Sequence, residues 1–228
     1  MRVILLHAFP LDELMWEPQL ETLRDYQVHT PRLYGRGASL DDWAASLLEE
    51  TEGDLALVGA SLGGYVALAV TNRAPERVRA LALVGARADA DSPERRAARA
   101  DTISLIEAGG AEALWENQRP KLLLDSASED AVARARDLVL STRTDELTGA
   151  VRALRDRADN SATFESFDGP TLVAVGEGDQ FFPPDEAETL AGRARHGRLR
   201  IFAGARHLPS LEQPDEFNAE LAGFLSDV

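Results

Sequence analysis

The pentapeptide Gly59-Ala60-Ser61-Leu62-Gly63 sits where the apolar run Leu55–Val58 ends and a helical pattern begins. A strand that turns sharply into a helix forces the residue between them into a strained conformation, and flanking glycines remove the Cβ atoms that would clash. Serine placed there presents its Oγ at the edge of a sheet. The following helix points its free N–H groups at the same spot, which stabilises developing negative charge. A serine hydroxyl is a weak nucleophile at neutral pH, so this reading requires a histidine base and a carboxylate to hold its tautomer. The chain has four histidines. His29 ends a weak strand and His196 lies in an Arg-rich polar stretch, so both read as solvated. His207 follows Phe202-Ala203-Gly204-Ala205-Arg206, in a loop after the last apolar run. Among the acids, Asp179 stands just past the run Thr171–Val175 and before Pro183-Pro184, giving the chain order Ser61, Asp179, His207. Asp89 is the reserve carboxylate, and Glu177 reads as strand-end surface.

Acyl transfer also needs two backbone donors for the oxyanion. One belongs to the residue after the nucleophile, Leu62. The loop after the first strand, His7-Ala8-Phe9-Pro10, supplies the other, assigned to Phe9. His7 then supports the oxyanion loop and does not transfer protons.

These positions must be held by a scaffold. Five bursts rich in Val, Leu and Ala read as buried strands: Val3–Leu6, Leu55–Val58, Ala80–Val84, Thr171–Val175 and Leu199–Phe202, with Gln27–Thr30 a weaker sixth. They lack strict alternation, as expected of strands covered on both faces. Helical periodicities separate them at Leu14–Asp25, Leu40–Thr51, Leu62–Arg73 and Asp185–Arg195, and the spacing of Phe217, Leu221, Phe224 and Leu225 predicts a final helix. The fold class expected is α/β, a mostly parallel sheet of about six strands flanked by helices. The interval 87–167 breaks the rhythm. It carries helical patterns at Pro93–Ala108, Ala111–Gln118, Ser128–Ser141 and Asp145–Ala158, punctuated by Gly109-Gly110 and Pro120. It reads as a helical lid inserted into a core made of residues 1–86 and 168–228. The aromatics Trp16, Trp115, Phe181 and Phe182 fit either a pocket wall or core packing.

Composition narrows the partners. The 228 residues carry 39 acidic and 24 basic side chains, a net charge of −15, which disfavours nucleic acid and anionic lipid surfaces. Zero cysteines exclude disulfides and a thiol nucleophile, and no metal or other cofactor is called for. No apolar run approaches the roughly 18 residues of a membrane span, and the opening Met1–Leu6 is too short for a signal h-region, so a cytoplasmic location is expected. Nothing in the sequence speaks to oligomeric state.

Taken together, His7–Asp12, Gly59–Gly64, Gly176–Asp179 with Pro183, and Gly204–His207 followed by Glu212-Gln213-Pro214 and Phe217 resemble the α/β-hydrolase family. The branch most similar is the small bacterial one containing 3-oxoadipate enol-lactone hydrolases and pimeloyl-carrier-protein methyl ester esterases. The resemblance implies a cofactor-free serine hydrolase acting on a small-molecule ester or lactone beneath a four-helix lid. Carbon–carbon hydrolysis or perhydrolysis on the same triad, and a non-catalytic ligand-binding role, are the alternatives. Three departures stand out. The oxyanion loop begins at residue 7, which implies a sheet lacking the usual N-terminal hairpin. Ala8 replaces a common glycine and requires a negative φ. Arg32 in Pro31–Ser39 occupies the place of a usual Asp, which bears on the packing of that loop.

Overall fold

A computed structural model describes residues 1–228. Its six strands are β1 (Arg2–Leu6), β2 (Gln27–His29), β3 (Leu55–Ala60), β4 (Val78–Val84), β5 (Thr171–Gly176) and β6 (Gly197–Phe202). They form one sheet in the order β2-β1-β3-β4-β5-β6, and every pairing is parallel. The central strands β3 and β5 are buried at every residue. Their continuous apolar runs are explained by cover on both faces.

Ten helices complete the chain: α1 (Glu17–Leu20), α2 (Leu40–Glu50), α3 (Leu62–Arg73), α4 (Pro93–Leu122), α5 (Glu129–Ser141), α6 (Thr144–Arg155), α7 (Ser161–Ser166), α8 (Pro184–Arg193), α9 (Pro209–Glu212) and α10 (Pro214–Ser226). Because side chains alternate along a strand, each strand feeds two cores. Ile4, Leu6 and Leu57 pack with Trp43 of α2, Val66 of α3 and Leu190 of α8. Val3, Leu5 and Val58 face the other way, with Trp16, Phe217, Leu221 and Phe224.

Local signals set most boundaries. Ser39 caps α2 in a capping box with Asp42, and Ser92 and Ser128 cap α4 and α5. Three expectations need correction. The helix expected at Leu14–Asp25 is a 3-10 turn, Glu13–Trp16, followed by the single turn α1. Asp12 caps that turn through the Leu14 N–H, and Pro18 has no N–H with which to continue it. Pro120 does not end a helix, since α4 runs to Leu122, and the Leu123 N–H still reaches Arg119 O at 3.1 Å. The break lies instead at Gly110, whose φ of 66° and ψ of −159° bend α4 where Gly109-Gly110 was read as punctuation. The short α7 has no counterpart among the expected helices. Between β4 and β5 the chain thus holds α4 to α7, with α4 packed on α6. No helix is long and apolar enough to cross a membrane.

Candidate active site

All the loops that leave the C-terminal ends of β1, β3, β4, β5 and β6 meet at one rim. Ser61 sits between β3 and α3 with φ 48° and ψ −110°, and it is the one non-glycine residue with positive φ. Such a conformation costs about 1–3 kcal/mol and persists only where surroundings enforce it. The enforcement is visible. A Cβ on Gly59 would strike the Gly63 carbonyl, and one on Gly63 would strike that of Leu6, so strand, turn and helix approach one another at backbone distance. The Ser61 N–H donates to Val84 O at 2.7 Å and pins the turn to β4.

Asp179 leaves β5 and His207 leaves β6, and their side chains meet at 2.7 Å between Oδ2 and Nδ1. Both are buried, at 4% and 3% exposure. The other carboxylate oxygen of Asp179 accepts the Phe181 and Phe182 N–H groups at 2.8 and 3.0 Å. Both acceptor atoms are therefore engaged, which fixes the carboxylate against the ring. With Nδ1–H donating to Asp179, the Nε2 lone pair of His207 is the one free to act as base. The ring is flanked by Phe181, with centroids 4.7 Å apart.

Gly85, directly after β4, was not singled out by its sequence. Its φ is +61°, and a Cβ there would lie 2.9 Å from His207 Cε1 and 3.2 Å from Asp179 Oδ2. Only glycine leaves room for the pair.

Ser61 and His207 line one cavity of about 430 Å³. No hydrogen bond joins them in this structure; such contacts commonly tighten only when substrate is bound. Phe9 lines the same cavity, and its backbone N–H donates to no group in the protein. Leu62 is the first residue of α3, where an N–H has no intrahelical acceptor. The two donors expected for an oxyanion are thus both unengaged.

His7 is wholly buried. Burial lowers its pKa from 6.5 to about 3, so it is neutral at any ordinary pH. Its Nδ1–H donates to Ala8 O at 3.1 Å and its Nε2 accepts the Leu33 N–H at 3.0 Å, stitching the loop after β1 to the loop after β2. Ala8 does not adopt a positive φ, so its replacement of glycine is free of strain. The unusual Arg32 also has an account. Its guanidinium reaches Asp12 and Glu13, each at 3.4 Å, and Glu146 of α6 at 3.1 Å, tying the loop after β1 to the inserted helices.

The remaining candidates separate cleanly. His196 is exposed and His29 lies on edge strand β2. Asp89 pairs with Arg95 and makes no hydrogen bond to His207, whose carboxylate partner is Asp179, and Glu177 is exposed. Of the four aromatics, Phe181 lines the cavity, while Trp16, Trp115 and Phe182 are core. The sequence reading commits to no residue of the rest of the cavity wall. Arg95, Ala98, Arg99 and Thr102 line it from one face of α4, at i, i+3, i+4 and i+7, with Lys121 further along and Arg87 just after β4. The spacing was legible, but nothing in it says which face of an amphipathic helix meets a cavity. A second hollow of about 460 Å³, near Thr71, Arg79 and Thr163, lies at the opposite ends of the strands and holds no nucleophile–base pair.

A parallel sheet with a serine on a strained strand-to-helix turn, facing a His–Asp pair on later loops, defines the α/β-hydrolase class of fold and site. The sequence model of the alpha/beta hydrolase family matches residues 3–220, and the chain belongs to that family. A pimeloyl-[acyl-carrier protein] methyl ester esterase of Aromatoleum aromaticum is 30% identical over 94% of each chain. One from Nitrosomonas europaea is 28% identical over 94% of this chain and 92% of its own length. Among solved structures, a thermophilic esterase from Thermogutta terrifontis with malate bound superimposes with TM-score 0.92 and 30% identity, covering 100% of this chain and 90% of that one. The enol-lactonase from Burkholderia xenovorans shares the fold at TM-score 0.84 and 22% identity, covering 99% and 91%.

Proposed function

We propose that this chain is a serine esterase that cleaves a small carboxylic ester or lactone through an acyl-enzyme. Its membership of a hydrolase family, together with relatives and neighbours that are esterases, supports an enzyme of the carboxylic-ester class. The observation that carries the mechanism is the 2.7 Å contact between His207 Nδ1 and Asp179, which leaves Nε2 free in the cavity that Ser61 lines.

His207 Nε2 takes the Ser61 proton as Oγ attacks the ester carbonyl. The tetrahedral oxyanion is held by the N–H groups of Phe9 and Leu62, fixed in advance and desolvated. His207, now cationic and steadied by Asp179, gives its proton to the departing alkoxide. Water then enters, loses a proton to His207 and releases the acid, restoring Ser61; with a lactone the alcohol stays attached until that second step. Residues 87–167 act as the lid, because α4 supplies much of the wall facing Ser61. No metal or cofactor enters any of these steps.

Ser61→Ala is the decisive test. It should reduce hydrolysis of short p-nitrophenyl esters by about 10⁴-fold or more and abolish labelling by a fluorophosphonate probe. Retained turnover in that variant would rule the mechanism out.

A further inference from the structure

The C-terminal end of α4 docks on the segment that carries His207. A helix ends with carbonyls that no intrahelical N–H reaches, and here that one segment meets them. The His207 N–H donates to Leu122 O at 3.1 Å. The Arg206 guanidinium donates to Leu123 O at 3.0 Å and to Pro120 O. Leu122, Leu123, Leu208 and Leu211 are buried in one core cluster, so the contact is dry as well as hydrogen-bonded.

Glu212 joins the two sides. It ends the single turn α9 and is part-buried. One carboxylate oxygen accepts the Leu124 N–H, just past α4, at 2.7 Å. The other accepts the N–H of Arg206, the residue before His207, at 2.8 Å. Burial raises the Glu212 pKa, and these two N–H groups pull it back. A carboxylate engaged in this way makes charge-assisted bonds, stronger than those between neutral groups. The opposite flank of the segment rests on the loop that carries Asp179: the Gly178 N–H donates to Ala205 O at 2.9 Å, and a Cβ on Gly176 would strike the Arg206 carbonyl. The backbone beneath His207 is thus gripped by the sheet rim on one side and by α4 on the other. Asp179 sets the tautomer and tilt of the ring, whereas the reach of Nε2 toward Ser61 depends on where that backbone sits.

We propose that Glu212 is a positioning residue for the base: its carboxylate clamps the backbone before His207 to the end of α4, so that Nε2 is held within reach of Ser61 only while that end of the inserted helices is docked. This rests on the esterase reading above and adds to it a side chain that touches no substrate. Catalysis is then coupled to the seating of α4, the helix that also lines the cavity.

In Glu212→Gln one of the two backbone N–H groups meets an amide N–H instead of an oxygen, so the clamp opens on one side. Hydrolysis of p-nitrophenyl acetate is measured per active site, with sites counted in a parallel sample by exhaustive fluorophosphonate labelling. Acylation and deacylation both use His207, so the loss should appear in kcat, about ten- to hundredfold for a displacement near 1 Å, while KM moves by less than about threefold. A purely architectural Glu212 would lower the melting temperature and the number of labelled sites but leave kcat per site within about twofold of wild type, and that result overturns the proposal. Arg206→Gln removes the guanidinium bonds to Pro120 and Leu123 while its backbone N–H still reaches Glu212. Its kcat per site should fall about three- to tenfold, the range of one hydrogen bond. The double variant should lose less than the product of the two single losses, since both act on one dock. Fully multiplicative losses overturn the coupling to α4. So does an Arg206→Gln kcat per site equal to wild type, an arm that stands even where Glu212→Gln does not fold. Wild-type protein that hydrolyses no ester, with no fluorophosphonate labelling of Ser61, would instead defeat the underlying esterase reading.

Discussion

Two walls line the cavity that holds Ser61 and His207, and they are built by different forces. The sheet rim is set by backbone: glycines at 59, 63 and 85 permit approaches that no other residue allows, and the His207–Asp179 pair falls into the space they leave. The α4 wall is set by charge. Arginines on one face of α4 are held by Asp89 and Asp91 of the loop that precedes it, and their positions follow from ion pairs, several of them part-exposed. The contrast teaches where the chemistry resides. On the proposed mechanism, chemistry sits on the part that cannot move without breaking the fold, facing a part that side chains alone define.

The sharpest way to break this division is at the rim. Asp179→Asn keeps the shape but no longer holds the correct imidazole tautomer, so kcat on a neutral ester should fall by about 10³–10⁴-fold with the melting temperature nearly unchanged. A loss under tenfold would mean that the carboxylate is only structural. Gly85→Ala comes next. A Cβ 2.9 Å from His207 displaces the ring, and a positive φ disfavours alanine by about 1 kcal/mol, so activity should drop about a hundredfold while most of the stability survives. Activity within threefold of wild type would show that the rim has slack.

His7 tests the rim through stability. Its folded pKa of about 3 lies below the unfolded value of 6.5, so the unfolded chain binds the extra proton. The stability that neutral, buried His7 contributes is intact above pH 6.5 and is lost as pH falls toward 3. Between pH 7 and pH 4.5 this amounts to about 3 kcal/mol. Urea midpoints measured at the two pH values should show that loss in wild type and much less of it in His7→Asn. Equal acid sensitivity in both proteins would remove His7 as the cause.

The smallest effect is expected where the two walls are tied. Arg32 is partly exposed and shared among Asp12, Glu13 and Glu146, so Arg32→Gln should cost about 1 kcal/mol, shrinking further as salt is raised. A loss of several kcal/mol, insensitive to salt, would show that the tie belongs to the rigid part of the molecule.

How far the sequence could be read follows the same division. The strands were legible because covered parallel strands need unbroken apolar runs, and Ser61 because a strand-to-helix turn demands its glycines. Asp179 and His207 were found by position after a strand, which chain order alone supplies. Gly85 escaped notice because its role is to yield space to residues 94 and 122 positions further on. The α1 region was misread because its helical periodicity was real, while Pro18 and the Asp12 cap, both local and visible, were given too little weight.

Sequence alone determined the parallel α/β plan, the serine turn and the candidates for base and acid, since these depend on periodicity and on backbone rules acting over a few residues. Tertiary structure alone decided that His207 and Asp179 stand 2.7 Å apart, that His7 is buried and neutral, and that Arg99 and Lys121 look into the cavity. Those facts depend on which surfaces exclude water and which charges become neighbours, quantities fixed only once distant segments pack.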